Sequence, residues 1–408
     1  MDSAAAVVEP PAPDVVIPAP SSQYDLDYRL RFLPADGRVL VTATVRQPRY
    51  LLREVRFRFD PGRYRDFGGD GQLDIDGKQL RWRPPDDGGS LRFSVLLDHQ
   101  RRGGGFDSLM RKDWALFRGD DLFPPAAVTA LKGAHAKARL HLAGPEGWSF
   151  VTAYPRLRKS SQWYRIDWPD RRFDRPVGWM AAGRLGVRRE EIAGRKVAIA
   201  GPTGQGVRRL DMLAFLNWNL PALTLVFPGF PDRLLLVSAG DPMWRGGLSG
   251  PRSLFLHADR PLISANGTST LLHELVHVAQ DYRAARGEDW IVEAIAEYYT
   301  LEIMHRSGTL TRQRRDRGFA RLEQWAERSK GLEGDHSTGA RTAKGVTVMR
   351  ALDAELRRRT KGRYSLDDVA RTLAEQGAEV SIERLREISA QLAGGPLAAL
   401  SDEQLARK

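Results

Sequence analysis

From Tyr24 the chain alternates, with Tyr24, Leu26, Tyr28, Leu30 and Phe32 apolar and the positions between them mostly polar. A period of two is that of a β-strand with one buried face. Similar runs recur over 39–45, at Val55, Phe57 and Phe59, and over 80–82, 91–97 and 138–142, with Asp36-Gly37 and Asp76-Gly77 as hairpin turns. The pattern predicts a β-sandwich-like domain over 23–155. Strand-like apolar segments continue through "LTLVFPGF" and "LLLVSAG", and "RSLFLHAD" reads as the last strand of a β-rich region over 156–265.

Beyond Thr268 the period becomes helical. Helices are predicted over 269–286, 289–305, 312–329, 344–360, 366–376 and 382–392, each stopped near a glycine. The region 266–394 is therefore expected to be all helical, followed by a tail over 395–408. At 408 residues the chain exceeds one ordinary core, so an α+β multidomain protein is expected, an N-terminal β-sandwich followed by a mainly helical domain. No repeat of fixed period is visible.

Composition narrows the chemistry. The 63 basic and 51 acidic residues leave a formal charge of +12 spread through every region, which suits an anionic environment such as an envelope surface. No zinc-finger cysteine pairs or aromatic RNA-binding signature accompany that charge, so no nucleic-acid partner is expected. The chain has no cysteine, which excludes disulfides, cysteine nucleophiles and thiolate metal sites. Residues 1–22 are rich in Pro and Ala and read as an extended linker, because Glu9 cuts off the apolar run that a signal peptide would need. Such a linker often precedes the first domain of an exported protein, so a periplasmic or cell-envelope location is expected if a leader has been removed, and a cytoplasmic one otherwise. No apolar run approaches the roughly 20 residues of a membrane span. The sequence carries no signal for oligomeric state.

The stretch "LLHELVHVAQ" sets His273, Glu274 and His277 on an otherwise apolar helix. Unpartnered, even one neutral polar group buried there would cost roughly 2–7 kcal/mol. Residues four apart share a helix face, so His273 and His277 can offer two imidazole nitrogens to one ion. Glu274 lies beside them, where its carboxylate can hold a metal-bound water and take its proton. A catalytic zinc needs a third protein ligand and an open position. Glu293 in "DWIVEAIAEYY", sixteen residues after His277, supplies one. Glu297, one turn further, either fixes the tautomer of a ligating histidine or is a solvated charge on the outer face.

These two segments resemble the gluzincin metallopeptidases. "HELVH" and "WIVEAIAEYY" are similar to the family's H-E-x-x-H and W-x-x-E-G-x-x-E-Y helices, with Ala294 in place of the usual glycine, and the second also resembles the thermolysin segment that carries a zinc glutamate. The domain order and "AKGVTVMRALDAELRRRTKGRYSLDDVARTL" look most like the glycyl aminopeptidase branch, relatives of aminopeptidase N and leukotriene hydrolase. The likeness spans most of 22–390 and is strongest over 265–378. It implies a thermolysin-like catalytic domain, one zinc ion held by His273, His277 and Glu293, Glu274 as general base, Glu297 supporting a ligand, and a peptide or protein substrate.

Two departures bear on activity. Where these aminopeptidases have Y-x-K-G, with a tyrosine that stabilises the oxyanion, this chain has "TAKG", placing Thr342 there. His336, Tyr298, Tyr299 and Tyr364 are other stand-ins, against the plainer reading of each as a loop residue or packing aromatic. In "WRGGLSGPRSLFL", Ser249 and Gly250 stand where the family's acidic anchor for the substrate α-amine is expected, while Gly246 and Gly247 either turn the chain or offer backbone to an extended peptide. The competing expectation is a catalytically degenerate, zinc-binding scaffold on the same fold. A basic envelope-binding module is a third reading and rests on charge alone.

Overall fold

A computed structural model describes residues 22–159, 161–166, 172–377 and 379–406. The linker expected over 1–22 lies outside them up to residue 21. The first strand, Gln23–Leu33, sits inside a six-stranded sheet, antiparallel to Arg38–Arg46 and parallel to His135–Ala143. Its alternate side chains, from Tyr24 to Phe32, are fully buried. They face a four-stranded sheet that carries Val55, Phe57, Leu80 and Trp82. The expected turns fall at both predicted hairpins, between Leu33 and Arg38 and between Asp76 and Gln79.

The expected boundary near residue 155 falls inside this assembly. Trp163–Ile166 pairs with His135–Ala143 in the six-stranded sheet, and Trp179–Gly183 pairs with Trp114–Arg118 in a five-stranded one, so the sandwich's sheets extend to residue 183. That five-stranded sheet is covered on both faces. Ala115, Phe117, Met180 and Ala182 point into the sandwich core, while Trp114, Leu116, Trp179 and Ala181 join Ala200, Leu235, Val237 and Phe255 of the next sheet. Covering both faces turns the alternation into a continuous apolar run, as in "WMAAG".

The next sheet also has five strands, in the order Leu185–Ile192, Arg195–Pro202, Arg233–Ala239, Ser253–His257 and Gly247–Gly250, with both outer strands antiparallel to their neighbours. Its parallel pair 195–202 and 233–239 requires a crossover, and a helix supplies it. This helix, Arg209–Val226, is α1, and it overturns the strand expected at "LTLVFPGF". Pro221 and apolar residues all round the helix hid its period.

Seven helices follow among the described residues: Thr270–Gln280 (α2), Asp289–Arg306 (α3), Arg312–Ala326 (α4), Ala340–Arg359 (α5), Leu366–Gln376 (α6), Ile382–Ala393 (α7) and Asp402–Ala406 (α8), the last inside the expected tail. With α1 they bury one core against the free face of the sheet. The region is not purely helical, because Arg283–Ala284 pairs with Glu379–Val380 in parallel. α2 stops six residues short of its expected end: Asp281 adopts a left-handed conformation, φ 45° and ψ 29°, and its N–H closes on the His277 carbonyl.

Candidate metal centre

α2 starts at Ser269, whose hydroxyl accepts the Leu272 N–H at 3.2 Å. Leu271, Leu272, Leu275 and Val276 bury its inner face, leaving His273, Glu274 and His277 on the wall of a cleft. α3 packs beside it and presents Glu293 and, one turn on, Glu297. Their approach depends on α5 too. A Cβ on Gly345 would stand 2.7 Å from the Ala294 Cβ, so the glycine of "TAKG" makes the room that Ala294 takes up.

The donor atoms converge. The two histidine Nε2 atoms are 3.0 Å apart, Glu293 Oε2 is 3.2 Å from His273 Nε2, and Glu293 Oε1 is 3.3 Å from His277 Nε2. Each outer ring nitrogen meets an acceptor: His273 Nδ1 lies 3.0 Å from Glu297 Oε2, and His277 Nδ1 lies 3.3 Å from the Gln280 side-chain oxygen. Acceptors at Nδ1 hold the proton there and turn both Nε2 lone pairs inward. Two lone pairs and a carboxylate facing one another repel unless a cation or proton lies between them. Two imidazoles and one carboxylate, open to a cleft on the remaining side, are the ligand set of a catalytic zinc, so the residues fit that ion. Among the described residues no other cluster of His, Cys, Asp or Glu offers three such atoms.

Without an ion the cluster is held by its own charges. Burial disfavours a charge on His273, but hydrogen bonds to Glu293 and Glu297 outweigh it and raise the imidazole well above its ordinary range. Burial would likewise raise Glu293, yet hydrogen bonds to both histidines pull it well below the usual carboxylate range.

The cleft has a volume of about 940 Å³. One wall is the edge strand Gly247–Gly250, and others are the chain after α2 and the 335–338 segment. The chain bends at Gly246, and Gly247 is extended. Gly247 opens the edge strand and lines the cleft, whereas Gly246 precedes it and packs against Trp244. Ser249 and Gly250 also line the cleft and bring no carboxylate. Of the oxyanion candidates only His336 lies on the wall. Thr342 sits behind it in the first turn of α5, buried, with its hydroxyl 3.0 Å from the Ser337 hydroxyl, and Ser337 reaches the cleft. Tyr364 lies in the turn between α5 and α6, away from the cleft, where its N–H donates to the Thr360 hydroxyl. Tyr298 and Tyr299 are packing residues, stacked edge-on at 5.2 Å, and the Tyr299 hydroxyl donates to Asp367.

Sequence reasoning missed Gln280, Ser337, Trp244 and Arg101. Gln280 had a signal, since it follows His277 by three residues on one helix. Arg101 had none. It comes from the sandwich domain, with its guanidinium 4.9 Å from the centre of the Trp244 ring, and backbone hydrogen bonds between Phe106 and both Pro242 and Trp244 tie that domain to the cleft.

No protein-family profile and no curated protein sequence matches the chain. Its fold does have relatives. A crystal structure of an aminopeptidase N family protein from Idiomarina loihiensis superposes with a TM-score of 0.65 at 17% identity, covering 86% of this chain and 70% of that one. A crystal structure of the E323A mutant of the M1 zinc metallopeptidase from Deinococcus radiodurans superposes with a TM-score of 0.58 at 15% identity, covering 94% of this chain and 92% of the other. The chain shares the mixed α+β, multidomain fold of these proteins.

Proposed function

We propose that this chain is a zinc-dependent peptidase, with His273, His277 and Glu293 as the metal ligands and Glu274 as the general base. The observation that carries the reading is the convergence of three donor atoms at one point on the wall of the cleft, with Glu274 on the same helix beside two of them. The two structural relatives are described as an aminopeptidase N family protein and a zinc metallopeptidase, which supports the same activity here. Zinc bound at this point would supply a Lewis acid for the substrate carbonyl and make water more acidic.

The protein's own part is positioning and proton transfer. Glu274, nearly buried, takes a proton from water at its carboxylate and returns it to the leaving amine. Glu297 and Gln280 keep the two imidazoles in the tautomer that leaves Nε2 free. The edge strand Gly247–Gly250 offers an extended peptide unpaired backbone groups. With Ser249 and Gly250 along that strand, no carboxylate is set there for a free α-amine, so the enzyme takes peptides without requiring their N-terminus. The oxyanion is met by what the wall presents, His336 and the Ser337 hydroxyl.

Peptide cleavage by the zinc-loaded protein, followed by mass spectrometry on a mixed peptide pool, tests this. Wild type should cut and Glu274→Gln should not, while both hold zinc and fold alike. A zinc-loaded wild type that cuts nothing, or a Glu274→Gln variant as active as wild type, would overturn the peptidase reading, the first in favour of the scaffold.

A further inference from the structure

α4 and the turn that closes it carry their charges in two separate stripes. Arg314, Arg317, Arg321, Gln324, Trp325 and Arg328 are all exposed and, at steps of three and four, share one side of the helix. The acids Asp316, Glu323 and Glu327 lie on another side, where Asp316 pairs with Arg315 and Glu323 with Arg350 of α5. None of the four arginines in the first stripe is in an ion pair among the described residues. Arg321 donates to the Ala265 carbonyl at 2.7 Å, and the loop 260–268 beside the stripe contains no acid. Arg314 and Arg328 stand about 21 Å apart along the helix axis. Four unpaired cations on that length concentrate anions beside them.

Trp325 stands in the same stripe. Its indole rests against the backbone of Gly339, where a Cβ would come within 3.3 Å, and is still 44% exposed. Together with Asn266, Arg321, Leu322, Gln324 and Arg328 it lines a hollow of about 390 Å³. Two guanidiniums and an indole therefore face one small space.

The occupant has to be anionic at several points along this length and has to offer the indole an apolar boundary. A bilayer of anionic phospholipid does both, since its phosphates meet the arginines while Trp325 sits at headgroup depth. A nucleic-acid strand is a poorer match. The stripe runs along one exposed helix and not along a groove that tracks a backbone, and it presents a single aromatic where strand-binding surfaces present a series.

We infer that α4 docks this chain onto an anionic phospholipid surface through Arg314, Arg317, Arg321 and Arg328, with Trp325 at the headgroup boundary. Gly339, under the indole, follows directly on the 335–338 wall of the cleft, so docking sets the cleft beside the bilayer. The inference stands apart from the peptidase reading, because binding is measured without turnover.

Co-sedimentation of the full chain with lipid vesicles tests this. Wild type should bind vesicles that contain phosphatidylglycerol and not those of phosphatidylcholine alone. The bound protein should come off as salt rises from about 0.1 to 1 M, over which the screening length falls from about 10 to 3 Å. Arg314→Gln, Arg317→Gln, Arg321→Gln and Arg328→Gln should each weaken binding about fivefold, and the quadruple variant should abolish it. Trp325→Ala should weaken binding while keeping the salt dependence. A net charge of +12 draws any protein toward an anionic surface, so a control replaces four exposed arginines elsewhere, Arg31, Arg58, Arg188 and Arg189, by Gln. With circular dichroism unchanged in both, the control should bind far more tightly than the quadruple stripe variant. Three results would overturn the inference: wild type that ignores anionic vesicles, a quadruple stripe variant that binds undiminished, or a control that binds as weakly as that variant. Wild type that binds a single-stranded oligonucleotide but no vesicle would assign the stripe to nucleic acid instead.

Discussion

Gly247 and Glu274 are packed so closely that position 247 has no room for a side chain: a Cβ there would stand 2.6 Å from Glu274 Cγ and 2.9 Å from its Oε1. The edge strand and the metal-centre helix thus meet at the proposed base. Gly247→Ala should move the carboxylate by a fraction of an ångström to an ångström, and a shift of that size costs about 10²-fold in rate. Steady-state kinetics should show the loss in kcat, with zinc content unchanged by elemental analysis. Full activity in Gly247→Ala would mean that Glu274 is not held by this contact.

Glu297 accepts from His273 and lies further from the donor point, so it should affect the metal without being a ligand. Glu297→Ala is expected to weaken zinc binding by about 10- to 100-fold, and Glu297→Gln by less, in a competition titration with a chelator. Loss of all zinc would place Glu297 among the ligands, and no change would return it to the solvated charge that the sequence also allowed.

Zinc uptake should release a proton near neutral pH. The imidazole of His273 is raised well above its ordinary 6.5, so the metal-free protein carries a proton that the ion must displace. Zinc affinity should therefore rise with pH, by up to tenfold per unit for one proton, until the raised value is passed. The same pairing stabilises the metal-free fold fully below the unfolded histidine value and is lost as pH rises through the folded one. Calorimetry in buffers of different ionisation enthalpy counts the proton. A count of zero at pH 7 would show His273 to be neutral without metal.

Blocking the α-amine of a good peptide substrate by acetylation should change its rate little, because Ser249 and Gly250 provide no carboxylate on the edge strand. A strict aminopeptidase would lose most of its kcat/KM. A large loss here would identify another cleft carboxylate, with Asp281, Asp289 and Asp335 the first to substitute.

The parts of this arrangement that could be read from sequence are those written in local periodicity. Alternation from Tyr24 to Phe32 and the i, i+4 pairs His273/His277 and Glu293/Glu297 depend only on backbone geometry, and in the fold they become a sheet and the meeting of His273 and His277 with Glu293, with Glu297 behind His273. What failed depended on neighbours. α1 is apolar on its outer side as well as its inner, so no moment marked it. The strand Gly247–Gly250 has a composition that reads as a turn and becomes a strand through pairing with Ser253–His257. Tyr364 was a candidate by position in the chain, yet the turn after α5 carries it away from the cleft. Arg101 reaches the cleft from more than a hundred residues upstream, and no local pattern encodes that approach.

The sheet that holds Trp114–Arg118 and Trp179–Gly183 serves two cores at once. A chain cut to begin at Leu185 would lay bare Leu235, Val237 and Phe255, as well as lose Arg101 from the cleft. The sandwich is thus no detachable accessory to the metal centre. Heat or denaturant should melt both parts in one transition, and a hinge between them would have to open the packing that this shared sheet makes with the next one.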